Sequence, residues 1–245
     1  MTFFDSVILG IVEGLTEFLP VSSSGHLVLA QSLIPGFSQP GVLFDVILHF
    51  GTFFAVIFYF RKQILKFNKN YLMLLIIGTI PAALLGYFFQ DFFEGLFSNR
   101  QIVGFALIIT AVMNFLTDRY RENDGVVENT KSFIIGIAQA IAIVPGISRS
   151  GSTIFAATRL GVKKEKAAEF SFLLSLPAVA GANILQLSKY HGQIDSNLSL
   201  YFVGFIFSFL FGILSIYLVL KLLLKSKFKY FGWYCLLVGI LAILL

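Results

Sequence analysis

Two segments of this 245-residue chain repeat each other at a fixed offset, and each interrupts an apolar stretch with the same kind of polar turn. The first reads GIVEGLTEFLPVSSSGHL, from Gly10 to Leu27; the second reads GIAQAIAIVPGISRSGST, from Gly136 to Thr153. A gapless shift of 126 residues lays Gly10 on Gly136, Ile11 on Ile137 and Glu13 on Gln139, and lays Ser22, Ser24 and Gly25 on Ser148, Ser150 and Gly151. The register persists downstream, with Phe44 on Phe170, Gly78 on Gly204 and Gly86 on Gly212. A duplicated, broken, polar-tipped apolar segment constrains the chain to two structural repeats whose interrupted helices build a site at their interface, near mid-bilayer.

The rest of the chain supplies the membrane. Apolar residues make up 57% and charged residues 13%, with a mean hydropathy of +0.87. That leaves too little polar surface for a soluble domain, so an all-α polytopic membrane protein is expected. Six stretches approach the length needed to cross about 30 Å of hydrocarbon: Leu43–Phe60, Tyr71–Phe89, Gln101–Thr117, Ala167–Leu185, Leu198–Leu220 and Tyr230–Leu245. Two more, Phe3–Leu19 and Phe133–Val144, run into Pro20 and Pro145 and resume only briefly, as Leu27–Ile34 and Ile154–Leu160. Proline removes a helix hydrogen bond and disfavours helix at the residue before it. Each pair therefore predicts a re-entrant hairpin of two half-helices, whose irregular tip must be buried in protein or face a cavity. The expected fold is two inverted repeats, 1–125 and 126–245, each a hairpin plus three crossings, in a single membrane domain. An ordinary eight-span bundle is the alternative, but it leaves both segments after the prolines too short. The N-terminus lacks a basic region, and Asp5 and Glu13 interrupt its apolar run, so it does not read as a cleavable signal. The single Cys235 excludes an intrachain disulfide and reads as a packed or lipid-facing thiol.

The basic residues set an orientation. Under this layout Arg61, Lys62, Lys66, Lys69, Arg119, Arg121, Lys131, Arg159, Lys163, Lys164, Lys166, Lys221, Lys225, Lys227 and Lys229 fall on one side, and Arg100 and Lys189 on the other. The crowded side is then cytoplasmic, and both termini lie outside. The net charge of +5 reports topology rather than nucleic-acid binding. Arg149 is left inside the membrane.

Several residues carry chemistry. Glu13 and Glu17 lie four apart on one helix face, where like charges repel, unless they hold a hard cation such as Mg²⁺ or Ca²⁺. One of them could also act as general base. In PVSSSGH, Ser22, Ser23 and Ser24 precede Gly25 and His26, so hydroxyls and amides can converge on an anion at a helix N-terminus. In PGISRSGST, Ser148, Ser150, Gly151, Ser152 and Thr153 surround Arg149, whose planar donors suit a two-pronged grip on phosphate. A cation site from one copy and an arginine–hydroxyl nest from the other suit a phosphate or diphosphate ester with a lipid tail. Asp45 and His49, also four apart, are candidates for an outer layer around the site. Asn114, Asn183, Lys189 and His191 read as loop or packing residues.

With these motifs in hand, the chain resembles the bacterial undecaprenyl-diphosphatase family, also called the bacitracin-resistance BacA/UppP family, over essentially its whole length. The resemblance rests on GIVEGLTEFLPVSSSGH and PGISRSGST. It implies hydrolysis of undecaprenyl diphosphate to undecaprenyl phosphate and inorganic phosphate, which recycles the carrier lipid for cell-wall synthesis, and it implies bacitracin resistance. It also implies divalent-metal dependence, a bacterial inner-membrane location and a site open to the outer face. Carried over by position, Glu17, Ser23, His26, Arg149 and Thr153 would be catalytic, with Glu13 and Ser148 supporting; on the reading of the residues themselves, Glu13 and Glu17 would hold metal, and Ser22, Ser24, Gly25, Ser148, Ser150 and Gly151 would bind phosphate. The expected partners are the lipid diphosphate and membrane lipid, with a homodimer left open. A second lipid phosphatase class places His six residues after a Ser-Arg element; here that position is Phe155, so that reading fails. The nucleophile stays open between Ser23, His26 and a metal-bound water, with Ser23 favoured. The rival function is a transporter that flips undecaprenyl phosphate, because inverted repeats with broken helices are transporter architecture.

Overall fold

The computed structural model describes residues 1–35, 37, 43–97, 99–119, 125–188, 198–223 and 227–244. The chain positions Arg121, Lys189, His191 and Lys225 lie outside the described residues. Among the described residues the protein is all helix: α1 (Phe3–Phe18), α2 (Ser23–Leu33), α3 (Leu43–Ile64), α4 (Lys69–Phe88), α5 (Gln90–Leu96), α6 (Arg100–Thr117), α7 (Asn129–Ile141), α8 (Arg149–Arg159), α9 (Lys164–Ser188), α10 (Leu198–Leu223) and α11 (Phe228–Leu244). Five of them, α3, α4, α6, α9 and α10, are long and apolar enough to cross a membrane, and α11 is a shorter apolar helix. The chain is thus an all-α polytopic membrane protein, with a helix over each of the six expected stretches.

The four half-helices α1, α2, α7 and α8 have 16, 11, 13 and 11 residues. At 1.5 Å per residue each extends about 16–24 Å, short of the hydrocarbon thickness. Their ends are set by local chemistry. Thr2 and Asp5 form a capping box at the start of α1. Ser22 and Ser148 cap α2 and α8, each accepting a hydrogen bond from the amide of the glycine three residues on. Pro81 and Pro177, by contrast, lie inside unbroken helices. The short helix α5 is not expected from the sequence. It carries Asp91 and Glu94 beside the exposed Phe92, and follows the exposed Phe88 and Phe89.

Packing is reciprocal under the 126-residue shift. The first hairpin's α1 packs on α10 of the second half, and the second hairpin's α7 packs on α4 of the first. Equivalent glycines line both interfaces. A methyl group on Gly10 would lie 2.6 Å from the Gly204 carbonyl oxygen, and one on Gly136 would strike the Gly78 carbonyl. Gly14 meets Ser208 and Gly212 one turn further along the first interface. Helix association in lipid depends on such close backbone approach, because lipid is as apolar as the side chains. Two further pairings, α6 with α11 and α3 with α9, join equivalent helices to each other, and α3 also packs on α10.

At one end of the bundle three helix termini meet. Lys164 of α9 pairs with Asp118 at 3.7 Å, and Asp118 also accepts from the Lys229 amide of α11 at 2.8 Å. The end of α6 and the starts of α9 and α11 therefore share one face.

Candidate active site

The two polar turns meet each other. Ser150 donates to the Leu19 carbonyl at 3.0 Å, and a methyl on Gly25 would lie 3.1 Å from the Cα of Gly146. Breaking a helix exposes backbone groups that must be satisfied inside the protein, and α6 does this for both breaks. Its Thr110 donates to the Gly146 carbonyl at 2.8 Å and accepts from the Ser148 amide at 3.0 Å. One turn on, Asn114 donates to the Pro20 carbonyl at 2.7 Å. Two residues adopt left-handed φ at the tips, Gly146 at 97° and Ser22 at 72°. Glycine tolerates that conformation, whereas a serine holds it only where its surroundings enforce it.

The repeat equivalence has a consequence at the chemistry. Ser23 and Arg149 are the same position in the two copies, the first residue of α2 and of α8. Their side chains converge on one carboxylate. Ser23 Oγ donates to Glu17 Oε2 at 2.5 Å, and Arg149 Nη2 pairs with Glu17 Oε1 at 2.5 Å. Arg149 Nη1 also donates to the Ser171 carbonyl of α9 at 3.2 Å. These two bonds use two of the five N–H donors of the guanidinium. Glu17 is thus gripped from both hairpins at the point where two helix N-termini, each partially positive, open toward it.

Other expected residues sit close by in distinct settings. Glu13, one turn before Glu17, is fully buried, and neither of its carboxylate oxygens has a hydrogen-bond partner. His49 Nε2 of α3 stands 3.4 Å from Glu13 Oε1. Ligand atoms of Glu13, Glu17 and His49 all lie within 4.8 Å of one another. His26 is committed through both ring nitrogens, with Nδ1 2.7 Å from the Ser22 carbonyl and Nε2 2.8 Å from the Tyr234 hydroxyl of α11, against whose ring it stacks. Thr153 lies one turn behind Arg149, fully buried, its hydroxyl bonded to the Arg149 carbonyl and to Ser171 Oγ at 2.6 Å. Ser22 and Ser24 face each other at 3.4 Å, and Ser148 and Ser150 do the same at 3.2 Å. Gly151 supplies the amide that Ser148 caps, and Gly25 the amide that Ser22 caps. Ser152 bonds back to the Ser148 carbonyl. Asp45 accepts from Gln31 of α2 at 3.0 Å.

Sequence reasoning missed Thr110, Ser171 and Tyr234. Ser171 had a usable signal: the 126-residue shift lays it on Asp45, itself a candidate for the outer layer. Asn114 and Asn183 are buried packing residues, as expected, but Asn114 also secures the first break. Cys235 is a packed thiol beside the same Pro20 carbonyl.

The profile of a family described as "Bacitracin resistance protein BacA" matches residues 6–241. Proteins named undecaprenyl-diphosphatase are similar throughout. The one from Syntrophotalea carbinolica is 44% identical over 98% of this chain and 97% of its own length. That from Methanococcus vannielii is 42% identical over 98% of both chains, and that from Christiangramia forsetii is 41% identical over 100% of this chain and 98% of its own. The chain belongs to the bacitracin resistance protein BacA family.

Proposed function

We propose that the protein hydrolyses undecaprenyl diphosphate to undecaprenyl phosphate and inorganic phosphate, recycling a carrier lipid for cell-wall synthesis and conferring bacitracin resistance. The observation that carries this reading is the clasp of Glu17 by Ser23 and Arg149, a carboxylate, a hydroxyl and a planar cation at the meeting of two helix N-termini. The same activity is named for its relatives. Ser23 Oγ attacks the terminal phosphorus, and its proton passes to Glu17 Oε2, already at hydrogen-bond distance. The bond from phosphorus to the bridging oxygen breaks, and undecaprenyl phosphate leaves. Water then attacks the phosphoserine, freeing inorganic phosphate and restoring the hydroxyl. Arg149 turns from Glu17 to the transferred group and balances the charge spreading over its oxygens. Ser22, Ser24, Gly25, Ser148, Ser150 and Gly151, at the starts of α2 and α8, would bind the phosphate groups once their present bonds within the two turns rearrange. His26, with both nitrogens engaged, holds the first turn in place, and Thr153 steadies Arg149 through Ser171.

Glu13 and Glu17 would hold a divalent cation, Mg²⁺ or Ca²⁺. Both oxygens of Glu13 are buried and accept no hydrogen bond, which leaves them lone pairs for a cation and fits that assignment. Such an ion, when bound, neutralises diphosphate oxygens.

The test is phosphate release from undecaprenyl diphosphate by the purified protein in detergent. Steady release is expected; a protein that only translocates lipid would release none.

The charge distribution supports an orientation, and the family resemblance a location. The protein sits in the bacterial inner membrane with both termini outside and the site open to the outer face. A reporter active only outside should work when fused to the C-terminus and fail when placed at Gln63–Asn68. The opposite pattern would overturn the inverted-repeat layout.

A further inference from the structure

Resting on the phosphatase reading of the same site, we propose that His49 is a nitrogen ligand beside Glu13 and Glu17, and that the site takes a first-row divalent metal ion, Mn²⁺ or Zn²⁺, in preference to Ca²⁺. Three observations support it. Glu13 is fully buried and neither of its oxygens accepts a hydrogen bond, whereas both oxygens of Glu17 already hold Arg149 and Ser23. Glu13 is therefore the carboxylate with capacity to spare. The nitrogen that faces it, His49 Nε2, stands at 3.4 Å, beyond the usual hydrogen-bond range. Nitrogen and oxygen at that separation form a long ion pair, and the same spacing suits two ligands of one ion. All three ligand atoms fall within 4.8 Å of one another, close to the span of about 4–5 Å that one divalent ion bridges.

The donor set decides the ion. Two carboxylates alone suit the hard cations Mg²⁺ and Ca²⁺, which take oxygen. An imidazole added to them draws the site toward transition metals, with Mn²⁺ tolerating the carboxylates and Zn²⁺ favouring the nitrogen. His49 is the histidine placed for this. His26 has both ring nitrogens engaged elsewhere. The side chain of His49 is 27% exposed, against 0% for Glu13, so an ion reaches the buried carboxylate past the imidazole.

The experiment uses full-length protein in detergent, stripped with chelator and titrated with Mn²⁺. One tightly bound ion per chain is expected by electron paramagnetic resonance. Pulsed measurements should show ¹⁴N modulation of the bound Mn²⁺, replaced by the ¹⁵N pattern in wild-type protein grown with ¹⁵N-histidine. This arm needs no substitution and so does not depend on a variant folding. His49→Gln should abolish the modulation and weaken Mn²⁺ binding about tenfold or more, while Ca²⁺ binding changes by less than about threefold. His26→Gln should retain the modulation. Absence of bound Mn²⁺, bound Mn²⁺ without histidine modulation, modulation that survives His49→Gln, or Ca²⁺ displacing Mn²⁺ at equal concentration would each overturn the assignment. Phosphate release with Mg²⁺ by the same wild-type preparation reads the phosphatase function separately. Release without nitrogen modulation removes the ligand alone, and modulation without release removes the phosphatase reading alone.

Discussion

Arg149→Lys is expected to lower turnover of undecaprenyl diphosphate by about a hundredfold or more, close to the loss for Arg149→Ala. In the structure one planar group spans two partners, the Glu17 carboxylate at 2.5 Å and the Ser171 carbonyl at 3.2 Å. An ammonium keeps the charge but has no fork with which to hold an anchor and a phosphate oxygen together. Lysine thereby forgoes the hydrogen bonds that strengthen as charge spreads over the transferred group, at a cost of about 3 kcal/mol for a hundredfold. Initial rates across substrate concentrations should therefore show a fall in kcat rather than a rise in KM alone. If Arg149→Lys keeps more than about a third of wild-type turnover, the guanidinium serves only as a general positive charge.

A larger loss, about a thousandfold, is expected for Glu17→Gln. This carboxylate accepts from Ser23 and pairs with Arg149, so the amide removes the proton acceptor and releases the arginine in one change. Because Glu17 and Ser23 act as a unit, Glu17→Gln combined with Ser23→Ala should be hardly slower than the worse single variant. Rapid acid quench should trap an acid-stable phosphoenzyme in the wild type, absent from Ser23→Ala. An acid-labile species would move the attack to His26. Absence of any phosphoenzyme, together with inversion at a chiral terminal phosphorus, would assign the attack to water and leave Ser23 as a donor to the phosphate.

The parts of this architecture legible in the sequence are those written locally. Pro20 and Pro145 announce breaks because Ser and Gly follow them. Pro81 and Pro177, set among apolar helix formers, leave their helices whole. Glu13, Glu17 and Arg149 stand out because charge within an apolar segment is costly, and the cost has to be met by a partner. What stays hidden depends on packing between distant segments. Thr110 and Asn114 are ordinary polar residues of an apolar helix until the fold brings two broken tips against them. Tyr234 lies 208 positions from His26, and one of nine tyrosines carries no local mark of that pairing. His49 reads as an outer-layer residue because its helix follows the first hairpin. Only the packing of α1 against α3 brings it to Glu13. The helix α5 is masked because its phenylalanines continue the apolar run of α4.

Paired repeats with interrupted helices are, in transporters, the moving parts: one unit rocks against the other and access alternates. Here α6 acts as a rivet through both units. Thr110 and Asn114, one turn apart on a single rigid rod, fasten the two breaks to the same shaft, and Ser150 latches one tip to the other. Rocking would have to break these bonds between buried groups, where an unmet polar group costs about 1–3 kcal/mol. These bonds oppose alternating access, and a layout associated with motion serves here as a brace for the site.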